Sequence, residues 1–394
     1  MVKNTHTFAI SSKKQHKLDK GSYMKFDRLQ PFEDLPLLPP SADINNDVEI
    51  LKKLVIASRA LATINGNLNR LPNPLMLINT LSLQEARTST EIENIFTTED
   101  ELYKAVSDNN QIEVSNPATK EVLKYREALW AGYKLMKEDG EVSEFLIKQI
   151  FQQIKETTDG YRPPQSRIVI KRGQSELRAG EVVYTPPRKS ETIQLLMDNL
   201  IEFLNDDDKY SYDPLIKMSI AHYQLEAIHP FQDGNGRTGR ILNLLYLVNK
   251  DLLSQPILYI SKYIILNKDD YYYNLGIVTQ RNSWKHWIMY MLDAVEKTSI
   301  ITNSLINDIL EQMDLTFDYA RNRIKWYNKE INEMIFSQPY IKSKMIGKII
   351  GKTSRTTLTK YMKELVDEKI LMPKKIGVEV YYLNNDLIRI LEGN

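Results

Sequence analysis

Twelve consecutive residues near the middle of the chain combine three glycines, two arginines, a histidine and an aspartate. They are His229-Pro230-Phe231-Gln232-Asp233-Gly234-Asn235-Gly236-Arg237-Thr238-Gly239-Arg240. Apolar residues at helical spacing lead into this run as far as Ile228, and Ile241 to Val248 is apolar enough for a buried helix. The sequence therefore predicts two helices joined by a glycine-rich turn.

The composition of this turn suits an anion. Glycines let backbone amides approach a ligand closely, and amides at the start of a helix favour negative charge. Arg237 and Arg240 lie three positions apart on the second helix, so both can face the same phosphates. Asp233 offers the hard oxygen that Mg²⁺ takes beside nucleotide phosphates. His229 can accept a proton near neutral pH, so the segment predicts attack by a hydroxyl on a bound phosphate.

Other interpretations of these residues are weaker. Residues 234–239 spell G-x-G-x-x-G, but a helix leads into them, whereas a dinucleotide-binding fold needs a strand there. A lone histidine at a helix end is usually a cap, but the neighbours of His229 favour chemistry. His222 lies about 10 Å away along a helix, with no other clustered ligands, so zinc is disfavoured and His222 is expected to pack.

The run resembles the signature of the Fic family, H-x-F-x-[DE]-G-N-G-R-x-x-R, at every specified position. This resemblance implies an α-helical core that uses ATP with Mg²⁺ and moves AMP onto Ser, Thr or Tyr hydroxyls of a target protein. By position it implies the following roles: His229 as general base, Phe231 as apolar anchor, Asp233 as metal ligand, Gly234, Asn235 and Gly236 as anion hole, and Arg237 and Arg240 as contacts to the outer phosphates.

A second stretch, Ser89-Thr90-Glu91-Ile92-Glu93-Asn94, is similar to the family's inhibitory pattern [ST]-x-x-x-E-[GN]. Its position before the core resembles the subgroup that is inhibited from the N-terminal side. The resemblance implies that Glu93, with Ser89 in the same pattern, engages Arg240 where the γ-phosphate should bind, which would make the enzyme autoinhibited. Relatives with this glutamate also reverse the reaction, which the sequence leaves open. The alternative is a solvated carboxylate on a helix face.

Two further regions extend the resemblance. Strand-like runs at 168–170 and 182–184 around Gly173 predict a hairpin, and residues 166–184 resemble the family's flap, which holds the target protein by strand addition. A purely structural hairpin is the alternative. Tyr271-Tyr272-Tyr273 with Asn282-Ser283-Trp284 resembles the region near the adenine, which implies that Tyr272 stacks there unless it belongs to the core.

The C-terminal part predicts a winged helix-turn-helix. A helix from about Asn328 precedes two more, Ile341 to Ile350 and Ser354 to Lys369, and a strand pair ends near Leu383. Basic and polar residues that could meet DNA phosphates are Arg355, Thr356, Lys360, Lys363, Lys374 and Lys375, and Glu364, Asp367 and Glu368 dilute their charge. A DNA-binding transcriptional regulator is therefore the alternative function.

The fold class expected from these features is mainly α: a Fic-type helical core with a β-hairpin flap and a small C-terminal winged helix-turn-helix domain. The predicted divisions are an N-terminal segment (1–34), a helical region carrying the inhibitory helix (35–130), the catalytic core (131–305) and the winged-helix domain (306–394). The chain has no cysteine and a net charge of +1, which exclude thiol chemistry and disfavour a general polyanion binder. No apolar stretch of about 18 residues occurs, so we expect a cytoplasmic protein without a membrane span. A homodimer is left open.

Overall fold

The computed structural model describes residues 26–68, 74–108, 116–171, 180–351 and 354–393, and most of them are helical. The helices are α1 Val48–Leu68, α2 Pro74–Ile92, α3 Glu99–Asp108, α4 Pro117–Asp139, α5 Glu144–Lys155, α6 Ser190–Asn205, α7 Pro214–Ile228, α8 Asn235–Asn249, α9 Ile260–Leu266, α10 Lys268–Arg281, α11 Trp284–Arg321, α12 Lys329–Ile335, α13 Ser343–Ile350, α14 Arg355–Asp367 and α15 Asn385–Glu392. The strands are β1 Ile170–Lys171, β2 Val182–Tyr184, β3 Tyr340–Ile341, β4 Met372–Ile376 and β5 Glu379–Leu383. The predicted fold class is confirmed.

Helices α7 and α8 form the centre of the core. Both are buried along almost their whole length, as expected for helices with apolar residues on every side. The helices α4, α5, α6 and α11 pack around them. Gly132 lets α4 approach α8, because a Cβ added there would lie 2.7 Å from Cδ1 of Leu245. The glycine-rich turn after His229 therefore lies at the junction of two helices that are buried on nearly all sides.

The ends of α4 show how local sequence sets these elements. The side chain of Asn116 accepts a hydrogen bond from the amide of Ala118 at 2.9 Å, and Pro117 follows as the first helical residue. At the other end Gly140 has a φ of 75°, and its amide donates to the carbonyl of Met136 at 3.0 Å. Both ends are fixed by residues within the segment.

The structure describes the two strands at the open end of the predicted hairpin. Strands β1 and β2 pair antiparallel, with Ile170 opposite Tyr184 and Lys171 opposite Val182. The Tyr184 hydroxyl donates to the carbonyl of Ala227 at 2.9 Å, which ties β2 to the end of α7. Residues 172–179, which include the predicted turn at Gly173, lie outside the described residues.

The C-terminal unit, residues 329–393, has the order helix, strand, helix, helix, strand pair and a final helix, α15, that was not predicted from the sequence. Its sheet is antiparallel with the order β3-β5-β4. Gly351 ends α13 with a φ of 67°, and residues 352–353 of the predicted turn lie outside the described part. The unit packs on α11 through α12 and α15, and Asp100 of α3 accepts hydrogen bonds from Tyr340 and Lys374. Naming this unit a winged helix stays an interpretation of that order.

Two predicted divisions fall inside helices. Residues 130–131 lie in α4, and residues 305–306 lie in α11, which is continuous from Trp284 to Arg321. The division of the chain into domains therefore stays a prediction. Among the described residues, no helix is both long and apolar enough to cross a membrane.

Candidate active site

The turn between α7 and α8 has a left-handed residue at each end. His229 follows α7 with φ 50° and ψ 58°, and its amide donates to the carbonyl of Leu225 at 2.9 Å. Gly234 has a φ of 78°, a conformation that glycine adopts without steric cost, and α8 begins at Asn235. His229 therefore lies at the end of one helix, and the next helix begins six residues later.

Hydrogen bonds within the turn fix its shape. The Asn235 side chain accepts from the amide of Phe231 at 2.8 Å and donates to the same residue's carbonyl at 2.9 Å. Phe231 itself is fully buried, and its ring stacks on Phe151 with centroids 4.0 Å apart. The aromatic ring thus anchors the turn on α5, and the asparagine closes it.

His229 is held in its neutral form. Burial, with a smaller effect of the Arg162 guanidinium, lowers the pKa of His229 to about 4, while Glu93 and Asp233 act in the opposite direction. The Glu226 carbonyl also favours the protonated ring, although Nδ1 makes no hydrogen bond of good geometry within the described part of the chain. A neutral imidazole is the form that can accept a proton.

Arg240 is buried and is bound by the predicted inhibitory segment. Its Nε donates to Oγ of Ser89 at 2.7 Å, and its Nη2 donates to the Ser89 carbonyl at 2.8 Å and to Oε1 of Glu93 at 2.9 Å. Burial by itself would lower the pKa of Arg240, but Glu93 and nearby tyrosines raise it above its usual range. The contact expected from the sequence between Glu93 and Arg240 is present.

The other arginine of the turn also has a carboxylate partner. Arg237 is 1% exposed and pairs with Glu121 of α4. Lys155 at the end of α5 lies 3.6 Å from Glu121 and 2.8 Å from Asp233. Sequence reasoning missed Glu121 and Lys155, because they are ordinary charged residues on helical faces and lie far from the turn along the chain.

The donors present fit Mg²⁺ only together with a nucleotide. Asp233 is the only carboxylate of the turn, and no group of three or more His, Cys, Asp or Glu side chains in the described ranges could hold a metal. Mg²⁺ in nucleotide sites commonly takes one or two carboxylates and completes its shell with phosphates and water. Burial would raise the pKa of Asp233, but the hydrogen bond and charge of Lys155 lower it, so the carboxylate is ionised and Lys155 competes for it.

The aromatic residues predicted for the adenine region divide in two. Tyr271 is buried, and its hydroxyl lies 2.9 Å from Nε2 of His222, whose ring stacks on Trp287, so both residues belong to the core. Tyr272 is 38% exposed and packs edge-on against Tyr271. Burial and then the charge of Glu93 raise the pKa of Tyr272.

Three family models match successive parts of the chain. The Fic/DOC family N-terminal model matches residues 51–134, the Fic/DOC family model matches 141–247, and the model for the C-terminal domain of SoFic-like protein adenylyltransferases matches 312–387. A crystal structure of a Fic family protein from Desulfovibrio desulfuricans G20 superposes with a TM-score of 0.50 at 20% identity, covering 88% of this chain and 98% of that one. This likeness concerns the fold.

Two curated relatives are similar over shorter stretches. Protein adenylyltransferase fic-1 of Caenorhabditis elegans is 42% identical over 65 residues, which are 16% of this chain and 13% of the relative. Protein adenylyltransferase Fic of Drosophila mojavensis is 25% identical over 177 residues, 44% of this chain and 34% of the relative. The chain thus spans at most about a third of these relatives. Since N-terminal and catalytic family models match consecutive parts of a chain that carries the whole motif at one turn, the protein belongs to the Fic family.

Proposed function

We propose that this chain is an autoinhibited protein adenylyltransferase that moves AMP from ATP to a Ser, Thr or Tyr hydroxyl of a target protein and releases pyrophosphate. One arrangement carries the proposal: a neutral, buried His229 precedes a glycine turn whose two arginines lie at the start of α8. Such a turn combines backbone donors, positive charge and a proton acceptor, which are the groups that phosphoryl-type transfer requires.

In the proposed reaction the target hydroxyl gives its proton to the His229 imidazole. Its oxygen forms a bond to the α-phosphorus, and the bond from that phosphorus to the leaving pyrophosphate breaks. The amides of the turn and the guanidinium groups of Arg237 and Arg240 stabilise the charge on the phosphates. Asp233 would hold Mg²⁺ beside the phosphates, and the ion would add to the neutralisation of their charge.

Autoinhibition is proposed from the position of Glu93. Its carboxylate accepts a hydrogen bond from the guanidinium of Arg240. The γ-phosphate of productively bound ATP would need the same guanidinium. Ser89 holds the other edge of the same guanidinium. ATP that cannot reach Arg240 would bind with its α-phosphate out of line, which lowers the rate of transfer.

The hairpin is the proposed place for the target protein. An extended segment can add to the edge of a strand through main-chain hydrogen bonds, with little regard to side-chain identity. Strand β2 suits this role because the Tyr184 hydroxyl ties it to the carbonyl of Ala227 in α7, two residues before His229. Tyr272 is proposed to stack on the adenine. A cytoplasmic location and a homodimer remain expectations from the sequence.

DNA binding by the C-terminal unit is not proposed. Several of its basic side chains have carboxylate neighbours: Lys363 pairs with Asp367 at 2.7 Å, and Lys374 pairs with Asp100 of α3. Lys360 also lies 3.9 Å from Glu364. A positive face that would meet DNA phosphates is therefore weak in this unit.

The test of the proposed function is transfer of label from [α-³²P]ATP to protein in Mg²⁺. We compare the parent chain, Glu93→Gly and Glu93→Gly/His229→Ala, with a cell lysate as the source of targets. Label is expected to appear strongly with the first substitution and to vanish with the second. Label from [γ-³²P]ATP in place of the α-label would overturn AMP transfer, because it would show that a different phosphoryl group moves.

A further inference from the structure

Arg162 binds the end of helix α7 through several backbone carbonyls. Its Nε donates to the carbonyl of His229 at 2.7 Å, and its Nη2 donates to the carbonyls of Pro187 at 2.5 Å and Ile228 at 3.3 Å. Its own amide donates to the carbonyl of Pro230 at 2.8 Å. One residue thus satisfies three consecutive carbonyls around the histidine and one at the end of the hairpin.

The guanidinium is used in an uncommon way. Arg162 is 3% exposed, and in the described part of the chain no carboxylate forms an ion pair with it. Burial of an unpaired cation is costly, so its compensation comes from the carbonyls. The last carbonyls of a helix lack partners within the helix and carry partial negative charge, which makes them suitable acceptors for a cation.

The histidine needs such support because of its backbone conformation. His229 has a φ of 50°, in the left-handed region where a residue with a Cβ is less stable than glycine by roughly 1–2 kcal/mol. The Nε contact reaches the carbonyl of this strained residue, and the Nη2 and amide contacts reach the residues on either side. We propose that Arg162 is the positioning residue that fixes His229 and the exit of the hairpin relative to each other.

The contact with Pro187 gives the second half of this role. Pro187 follows strand β2, and the same Nη2 that binds it also binds Ile228. If a target segment adds to the hairpin, its hydroxyl must meet the imidazole within hydrogen-bond distance. A guanidinium shared by the two elements sets that distance, whereas independent anchors would let it vary.

Electrostatics support the same assignment. The charge of Arg162 adds to the effect of burial in lowering the pKa of His229, against Glu93, Asp233 and the Glu226 carbonyl. Loss of the cation should therefore raise the pKa of His229 and reduce the fraction of neutral base at acidic pH. A displacement of His229 without loss of the charge should leave this pKa unchanged. Variants can therefore separate the effect of position from the effect of charge.

The inference rests on the proposed AMP transfer, and its test has one readout that does not. In the Glu93→Gly background we compare Arg162→Met, Arg162→Lys and the control Arg188→Met, which removes a nearby charge without touching the carbonyls of the turn. The readouts are kcat, KM for ATP, and the pKa of His229 from NMR of the imidazole, assigned with His229→Ala. If Glu93→Gly itself transfers no AMP, the proposed function fails, while the NMR titration still shows whether the charge of Arg162 acts on His229.

Arg162→Met is expected to lower kcat by about 100-fold with KM for ATP changed by less than about twofold, because a misplaced base slows the chemical step without removing phosphate contacts. The pKa of His229 should rise in this variant. Arg162→Lys keeps the charge, so this pKa should stay near that of the parent while kcat recovers in part. The proposal would be overturned if Arg162→Met kept the parent's kcat and the parent's pKa of His229. It would also be overturned if this variant changed KM alone. Should Arg162→Met fail to fold, full kcat in Arg162→Lys would overturn it instead.

Discussion

Oε1 of Glu93 lies directly over Gly236, so that a Cβ added at this glycine would be 2.5 Å from the carboxylate oxygen. The glycine that lets the turn accept an anion is therefore covered by an anion from the chain itself. The carboxylate also binds Arg240 at 2.9 Å. An intramolecular carboxylate in this position competes with a phosphate group for both the space and the charge.

Removal of that charge should strengthen nucleotide binding. Glu93→Gln keeps the size of the side chain but removes the ion pair with Arg240, so we expect the affinity for a non-hydrolysable ATP analogue to rise by roughly tenfold. Calorimetric titration measures this. Glu91→Gln is the matched control, since Glu91 pairs with Arg87 on its own helix. Equal affinities in the parent and Glu93→Gln would show that the carboxylate does not compete with phosphate.

The pair between Lys155 and Asp233 should set the Mg²⁺ requirement. Lys155→Met frees the carboxylate, so half-maximal labelling in the Glu93→Gly background should need up to about fivefold less Mg²⁺, in keeping with an exposed ion pair worth at most about 1 kcal/mol. Asp233→Asn should need a higher Mg²⁺ concentration for half-maximal labelling. Titration of Mg²⁺ in the labelling reaction measures both. A lower requirement in Asp233→Asn would contradict Asp233 as the metal ligand.

Glu226 should make stability depend on pH. Burial raises the pKa of Glu226 to about 7, with Arg240 opposing and Glu93 adding to the rise. Between about pH 4.5 and 7 the folded chain therefore keeps a proton that the unfolded chain releases, and stability falls as pH rises through this window. Glu226→Gln removes this loss of about 1.4 kcal/mol per pH unit.

Urea unfolding of the parent and Glu226→Gln at pH 5 and pH 8 measures this effect. The free energy of unfolding of Glu226→Gln minus that of the parent should be larger at pH 8 than at pH 5. Glu85 has a similar raised pKa, but it is present in both proteins and cancels in the difference. The same difference between the two proteins at both pH values would mean that Glu226 ionises normally in the folded chain.

Gly132 should be intolerant of a side chain. A Cβ there would meet Cδ1 of Leu245 at 2.7 Å and Cγ1 of Ile150 at 3.2 Å, so Gly132→Ala should cost about 1–3 kcal/mol through overpacking between α4 and α8. Gly66→Ala is the control, because nothing lies within 4 Å of its added Cβ and the position is helical. That variant should gain about 0.5–1 kcal/mol. Thermal unfolding checks both, and two changes of the same sign would refute the packing argument.

The sequence predicted the elements whose residues are neighbours along the chain. The run from His229 to Arg240 indicated a helix, an anion-binding turn and a second helix, and the structure has α7, the left-handed residues His229 and Gly234, and α8 in that order. Helical periodicity, caps and glycine turns act over a few residues, so a pattern of that length is sufficient to predict them. The resemblance also indicated the contact between Glu93 and Arg240.

Only the tertiary structure brought the remaining partners of the site together. Glu121 reaches Arg237, Lys155 reaches Asp233 and Arg162 reaches the carbonyl of His229 because α4, α5 and the segment after α5 pack against the turn. In the sequence these three are ordinary charged residues, and nothing local distinguishes them from solvated ones. The depressed pKa of His229 has the same origin, since burial and the Arg162 charge exist only once distant segments have excluded water from the imidazole.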